Sequence, residues 1–188
     1  YPGQTTTALC PLETFAGEPI YRAGAEPDAA EIAARKQTYF EPYHAALRQA
    51  LGRARAWHGY ALLYDCHSIR SAIPRLFSGQ LPVFNIGVNE GKSCAAPLVR
   101  AVSAACGAAP GYDAVVDGRF KGGWITRHYG DPERGIHALQ MELAQRAYMM
   151  EEAPWTYDGR KAEQLNPVLR RALAAYLAAA AQLNLTVR

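Results

Sequence analysis

Two spacings of apolar residues divide this chain. From Ala29 to Trp57 they recur at helical intervals, Ile32, Tyr39, Tyr43, Ala46, Leu47 and Leu51, behind Asp28 as N-cap and with Pro42 as a kink or break. Tyr60–Tyr64 is instead a continuous apolar run, as in a strand buried on both faces of a parallel sheet. Further strands are predicted at Val83–Gly87, Tyr112–Asp117, Trp124–Tyr129 and Ile136–Leu143. Helices are predicted over Ser93–Cys106, with Pro97 in the first turn, over Ala144–Glu151, and from Asn166-Pro167 to about Leu183. The last should bury Val168, Leu169, Leu173, Tyr176, Leu177 and Ala180. Residues 1–27, 68–82 and 152–161 read as loops, the first crowded with Pro and Gly.

The run Tyr60–Tyr64 turns abruptly polar, and Asp65, His67, Ser68, Arg70 and Ser71 are expected at or just past the strand's C-terminal end, where open α/β sheets place ligands. Alternation sets Asp65 and His67 on one face and Cys66 on the other. The pair reads either as a metal-ligand histidine backed by a carboxylate, or as a hydrogen-bonded loop histidine. In Ile136–Leu143, Gln140 and Glu142 share a face opposite His137, Leu139 and Met141. If this strand runs parallel to Tyr60–Asp65, Glu142 reaches the sheet edge that holds His67, as a general base or merely as the start of the next helix. His137 reads as a core histidine, His44 and His58 as surface or capping residues. Arg119, Lys121, Arg127 and His128 cluster around Gly122-Gly123, which allows close backbone approach to a ligand, while arginine forks match carboxylates.

With 188 residues, 49% hydrophobic and 20% charged, one domain with a substantial core is expected over 1–188. The net charge of +3 is dispersed, which argues against nucleic acid as a partner. Ala172–Leu185 is broken by Tyr176, Gln182 and Asn184, so no stretch predicts a membrane span, and no signal peptide is recognised. Cys10, Cys66, Cys94 and Cys106 show neither zinc-ribbon nor disulfide spacing, which fits reduced thiols in a cytoplasmic protein. Cys66 and His67 point to opposite faces and cannot act as a nucleophile–base pair without distortion of the strand. The opening at Tyr1, in a turn-rich segment, predicts a preceding N-terminal portion.

Taken in order, YPGQTT, LYDCHSIRS, FNIG followed by GKSC, FKGGWITRHYG and ALQMELAQRAYM resemble the N-formylglutamate amidohydrolase (N-formylglutamate deformylase) family through nearly the whole chain. The resemblance implies an α/β fold of three layers, a mostly parallel sheet flanked by helices, of the zinc-carboxypeptidase-like (phosphorylase/hydrolase-like) kind. It implies a zinc-dependent amidohydrolase converting N-formyl-L-glutamate to formate and L-glutamate in histidine degradation. His67 is then a zinc ligand supported by Asp65, Glu142 the general base, and Arg70, Arg127, His128 and Lys121 the groups that hold the small dicarboxylate substrate. The family's P-H-[AS]-G-like motif, expected to supply another ligand, has no counterpart here, so one zinc with an incomplete ligand set is expected. A relative cleaving another N-acyl amino acid, or a non-catalytic carboxylate-binding homologue, are the alternatives.

Overall fold

The computed structural model describes residues 8–183, which fall into two compact units; residues 1–7, including all of YPGQTT, and 184–188 lie outside the description. One unit combines the chain up to residue 50 with residues 72–80, and the other combines 51–71 with 81 onward.

In the first unit, residues 9–27 are irregular apart from one bridge between Glu13 and Pro19, and Arg75 pairs with Glu13. Asp28 caps helix α1 (Ala29–Arg35) by accepting from Glu31 N at 2.8 Å. The kink expected at Pro42 takes another form. A π-helical stretch, Lys36–Phe40, precedes α2 (Glu41–His58), of which residues 51–58 are counted with the second unit, and the widened turn accommodates the proline ring at the second position of α2. His44 is not a surface residue. It is 5% exposed, with its ring 4.0 Å from Phe40 and 5.0 Å from Tyr43, because its apolar edges pack as an aromatic.

The second unit is built on four strands in the order β1 (Ala61–Ile69), β4 (Ile136–Ala144), β2 (Phe84–Gly87), β3 (Ala114–Val116). β1 pairs parallel with β4, and β2 parallel with β3, but β2 and β4 run antiparallel. The sheet is therefore mixed, since the chain reaches β2 by the loop after β1 without a crossover that would keep all directions alike. Helices flank it. α3 (Ala96–Gly107) and α5 (Gly159–Gln182) pack together over Phe84, Ile86, Leu139 and Met141, and α4 (Trp124–Tyr129) packs against β4 and β1.

Several expected elements change. β1 continues through the polar residues to Ile69, because ladder hydrogen bonds to β4 carry it past Asp65 and His67. Trp124–Tyr129 is helical, not extended: six residues begin after Gly123, and Arg127 N bonds to Gly123 O at 3.1 Å. The helix expected at Ala144–Glu151 is only a single 3-10 turn, Gln145–Ala147. α5 starts at Gly159, with Asp158 accepting from Arg160 N and Lys161 N, so Pro167 lies inside the helix with its ring exposed. Its buried stripe is Ala162, Leu165, Val168, Ala172, Tyr176 and Ala180, while Leu173 and Leu177 face outward. The earlier start shifts the contact side toward small residues, which let α5 approach α3 closely.

Candidate active site

The parallel register of β1 with β4 sets His67 opposite Glu142 and Asp65 opposite Gln140. Four polar side chains thus share one face of two neighbouring strands, within the few ångströms that separate directly opposed residues. Asp65 Oδ2 lies 3.1 Å from His67 Nε2, with the carboxylate side chain 13% and the imidazole 45% exposed. The contact is close but poorly aligned, leaving Asp65 Oδ2 buried without a well-directed hydrogen bond among the described residues. His67 has its pKa raised by the Asp65 carboxylate, against a lowering by burial, with smaller help from the charges of Asp65 and Glu142.

Glu142 is 6% exposed, and burial raises its pKa above the usual carboxylate range, partly opposed by His67 and by a hydrogen bond from Gln140. That bond runs from Gln140 Nε2 to Glu142 Oε2 at 3.1 Å, while Gln140 Oε1 accepts from Gly123 N at 2.6 Å. Gln140 therefore ties the glycine loop to the carboxylate. From the other neighbouring strand, Asn85 Nδ2 donates to Glu142 O at 3.1 Å and to Pro82 O at 2.8 Å. A partly desolvated carboxylate with a fixed orientation, facing an imidazole, can accept and return a proton.

The cationic candidates are arranged more loosely. Lys121 Nζ binds Glu90 Oε1 at 2.6 Å, and His128 stacks on Trp124 at 4.0 Å with an interplanar angle of 18°. Arg127 lies half-buried in the last turn of α4, and Arg70, one residue past β1, sits over the Trp155 ring at 5.7 Å. The Gly122-Gly123 pair seats a loop on the sheet: a Cβ on Gly87 would meet Gly122 N at 2.4 Å, and one on Gly123 would meet Gln140 Oε1 at 3.1 Å. The glycines accommodate protein backbone and Gln140. Gln140 was visible in the sequence only as a polar residue sharing a face with Glu142; its link to Gly123 arises from the tertiary fold.

His67 Nε2 and Asp65 Oδ2 are chemically suited to a divalent cation, because their 3.1 Å separation is close to that of two ligands of one tetrahedral ion and the buried oxygen lacks an aligned donor. Among the described residues no three of His, Cys, Asp and Glu converge as a metal-holding group. His137 is buried on the opposite face as expected of a core histidine, but only one ring nitrogen is satisfied: Nδ1 accepts from Ala95 N at 3.3 Å, while buried Nε2 has no hydrogen-bond partner among the described residues. No helix among the described residues is long and apolar enough to cross a membrane.

The model of the family N-formylglutamate amidohydrolase matches residues 1–149. N-formylglutamate deformylases of Pseudomonas aeruginosa and Pseudomonas putida are each 49% identical over 173 residues, 92% of this chain and 65% of theirs. The chain thus spans about two thirds of the length of these curated relatives. The crystal structure of N-formylglutamate amidohydrolase from Ralstonia eutropha JMP134 superposes with a TM-score of 0.74 at 26% identity, covering 86% of this chain and 59% of that one. The family match extends over β1 and β4 and so includes the opposed His67 and Glu142: the chain belongs to the N-formylglutamate amidohydrolase family.

Proposed function

We propose that this chain carries the proton-transfer half of a hydrolytic site that converts N-formyl-L-glutamate and water to formate and L-glutamate, within histidine degradation in the cytoplasm. The observation that supports it best is the opposition of His67 and Glu142 across β1 and β4, with Asp65 against His67. Glu142 takes a proton from the attacking water and returns it to the amide nitrogen as the C–N bond breaks, and its raised pKa suits both transfers. Gln140 and Asn85 hold Glu142 in place during this exchange. Arg127 and Arg70, with His128 and Lys121, meet the two substrate carboxylates.

On this reading His67 Nε2 is a zinc ligand, Asp65 Oδ2 beside that nitrogen is a second donor to the ion rather than a support for the imidazole, and residues 1–188 form one domain of a three-layer, zinc-carboxypeptidase-like enzyme. When bound, zinc would polarise the formyl carbonyl and make water more acidic. The test is formate release from N-formyl-L-glutamate by the 188-residue chain, with zinc per chain measured in the same samples. Release that rises with zinc occupancy is expected, and none at full occupancy would sink the reading. Faster cleavage of another N-acyl amino acid would move the substrate assignment while retaining the chemistry.

The absence of a three-residue metal group among the described residues favours a second reading, a carboxylate-binding homologue without turnover. It predicts that N-formyl-L-glutamate binds the zinc-free chain and stays intact.

A further inference from the structure

On the sheet face away from Glu142, α5 borders a cavity of about 530 Å³, within the range of small-molecule sites. Lys161, Gln164, Val168 and Arg171 line it from α5, at spacings of three, four and three residues that keep them on one side of the helix. Arg146 and Ala147 enter from the 3-10 turn after β4. Three cations therefore surround one space, and among the described residues no carboxylate lines it.

The use already made of each cation differs. Arg146 is anchored, with Nη1 donating to Leu81 O at 2.8 Å and Nη2 3.6 Å from Asp113 Oδ1. Among the described residues Lys161 Nζ reaches only the Met150 sulfur, at 4.0 Å, and Arg171 makes no hydrogen bond or ion pair. Two donors thus stand ready beside a third held in position. Val168 and Ala147 are 3% and 7% exposed, so the inner wall is apolar. Cations at the mouth and an apolar wall within match a ligand with a charged head and a hydrocarbon body.

We propose that this cavity binds a small organic anion, its carboxylate or phosphate held by Lys161, Arg171 and Arg146 and its apolar body against Val168 and Ala147. The site is separate from Glu142 and does not depend on the hydrolase reading.

The experiment is titration of the 188-residue chain with phenylacetate, phenyl phosphate and inorganic phosphate, followed by amide chemical shifts. At least one aromatic anion should shift residues 109–112, 146–147 and 161–171, and bind more tightly than inorganic phosphate. Which aromatic anion binds better tells carboxylate from phosphate. The double variant Lys161→Ala, Arg171→Ala should weaken that binding about tenfold or more. Gln164→Glu, an exposed change that puts a carboxylate at the cavity, should weaken it too with the fold intact by circular dichroism. The proposal is overturned by unchanged affinity in both variants, by inorganic phosphate binding as tightly as the aromatic anions, or by no shifts up to about 10 mM ligand.

Discussion

His67 and Glu142 stand directly opposite each other in the parallel pairing of β1 with β4. Their separation in sequence is bridged by one strand register, so a single slip of β1 would turn His67 to the α3–α5 face and dismantle the site.

Glu142→Gln tests the proton transfer. Formate release should fall about a hundred- to ten-thousand-fold, the range for loss of a general base. Zinc content should stay unchanged, and near-normal turnover would remove Glu142 from the mechanism. Because burial disfavours the Glu142 carboxylate, thermal unfolding should show the variant as stable as the parent or ~1 kcal/mol more so.

Gln140→Leu separates orientation from chemistry. It leaves Gly123 N–H without its buried acceptor and Glu142 without its donor, so urea unfolding should show a loss of about 1–3 kcal/mol. Unaltered stability would mean that the two bonds contribute nothing net.

Gly87→Ala probes the seating of the glycine loop. The new Cβ would meet Gly122 backbone nitrogen at 2.4 Å, and backbone cannot swing aside as a side chain does. A loss of ~2 kcal/mol or more is expected from this overpacking, and a neutral result would show that the loop shifts freely.

Arg127→Ala should raise KM for N-formyl-L-glutamate about tenfold or more with a smaller change in kcat, the pattern for lost substrate binding. An unchanged KM would count against its assignment to a substrate carboxylate.

The buried thiols carry a pH signature. Burial pushes Cys94 and Cys106 from 9.0 up to about 11, so the folded chain keeps these protons where the unfolded chain releases them. Their contribution is fully present below pH 9 and is lost as pH rises to about 11. Cys94→Ala, Cys106→Ala should flatten the decline in unfolding free energy across that window. A decline as steep as the parent's would assign it to other groups.

The strands were legible where local pattern and burial agreed. Ile136–Leu143 announced its two faces by alternation, and β4 keeps them, with Leu139 and Met141 in the core and Gln140 and Glu142 opposite. Local pattern failed where tertiary contacts decide. Trp124–Tyr129 is rich in β-favouring aromatics, yet forms a short helix after the glycine turn fastened to Gln140. Pro167 marked a helix start by its usual preference, but Asp158 caps α5 earlier and the 24-residue helix tolerates one lost hydrogen bond. The Asp65–His67 pair could be found from spacing, whereas its partnership with Glu142 required the strand order.

That order also gives the two opposed residues unequal mechanical freedom. Glu142 is on a strand laced to a neighbour on each side, so its backbone can move only by breaking two ladders. His67 is on the border strand, laced on one side among the described residues. Small displacements on ligand arrival should therefore fall on the imidazole, leaving the carboxylate as the stationary reference against which the reacting groups align.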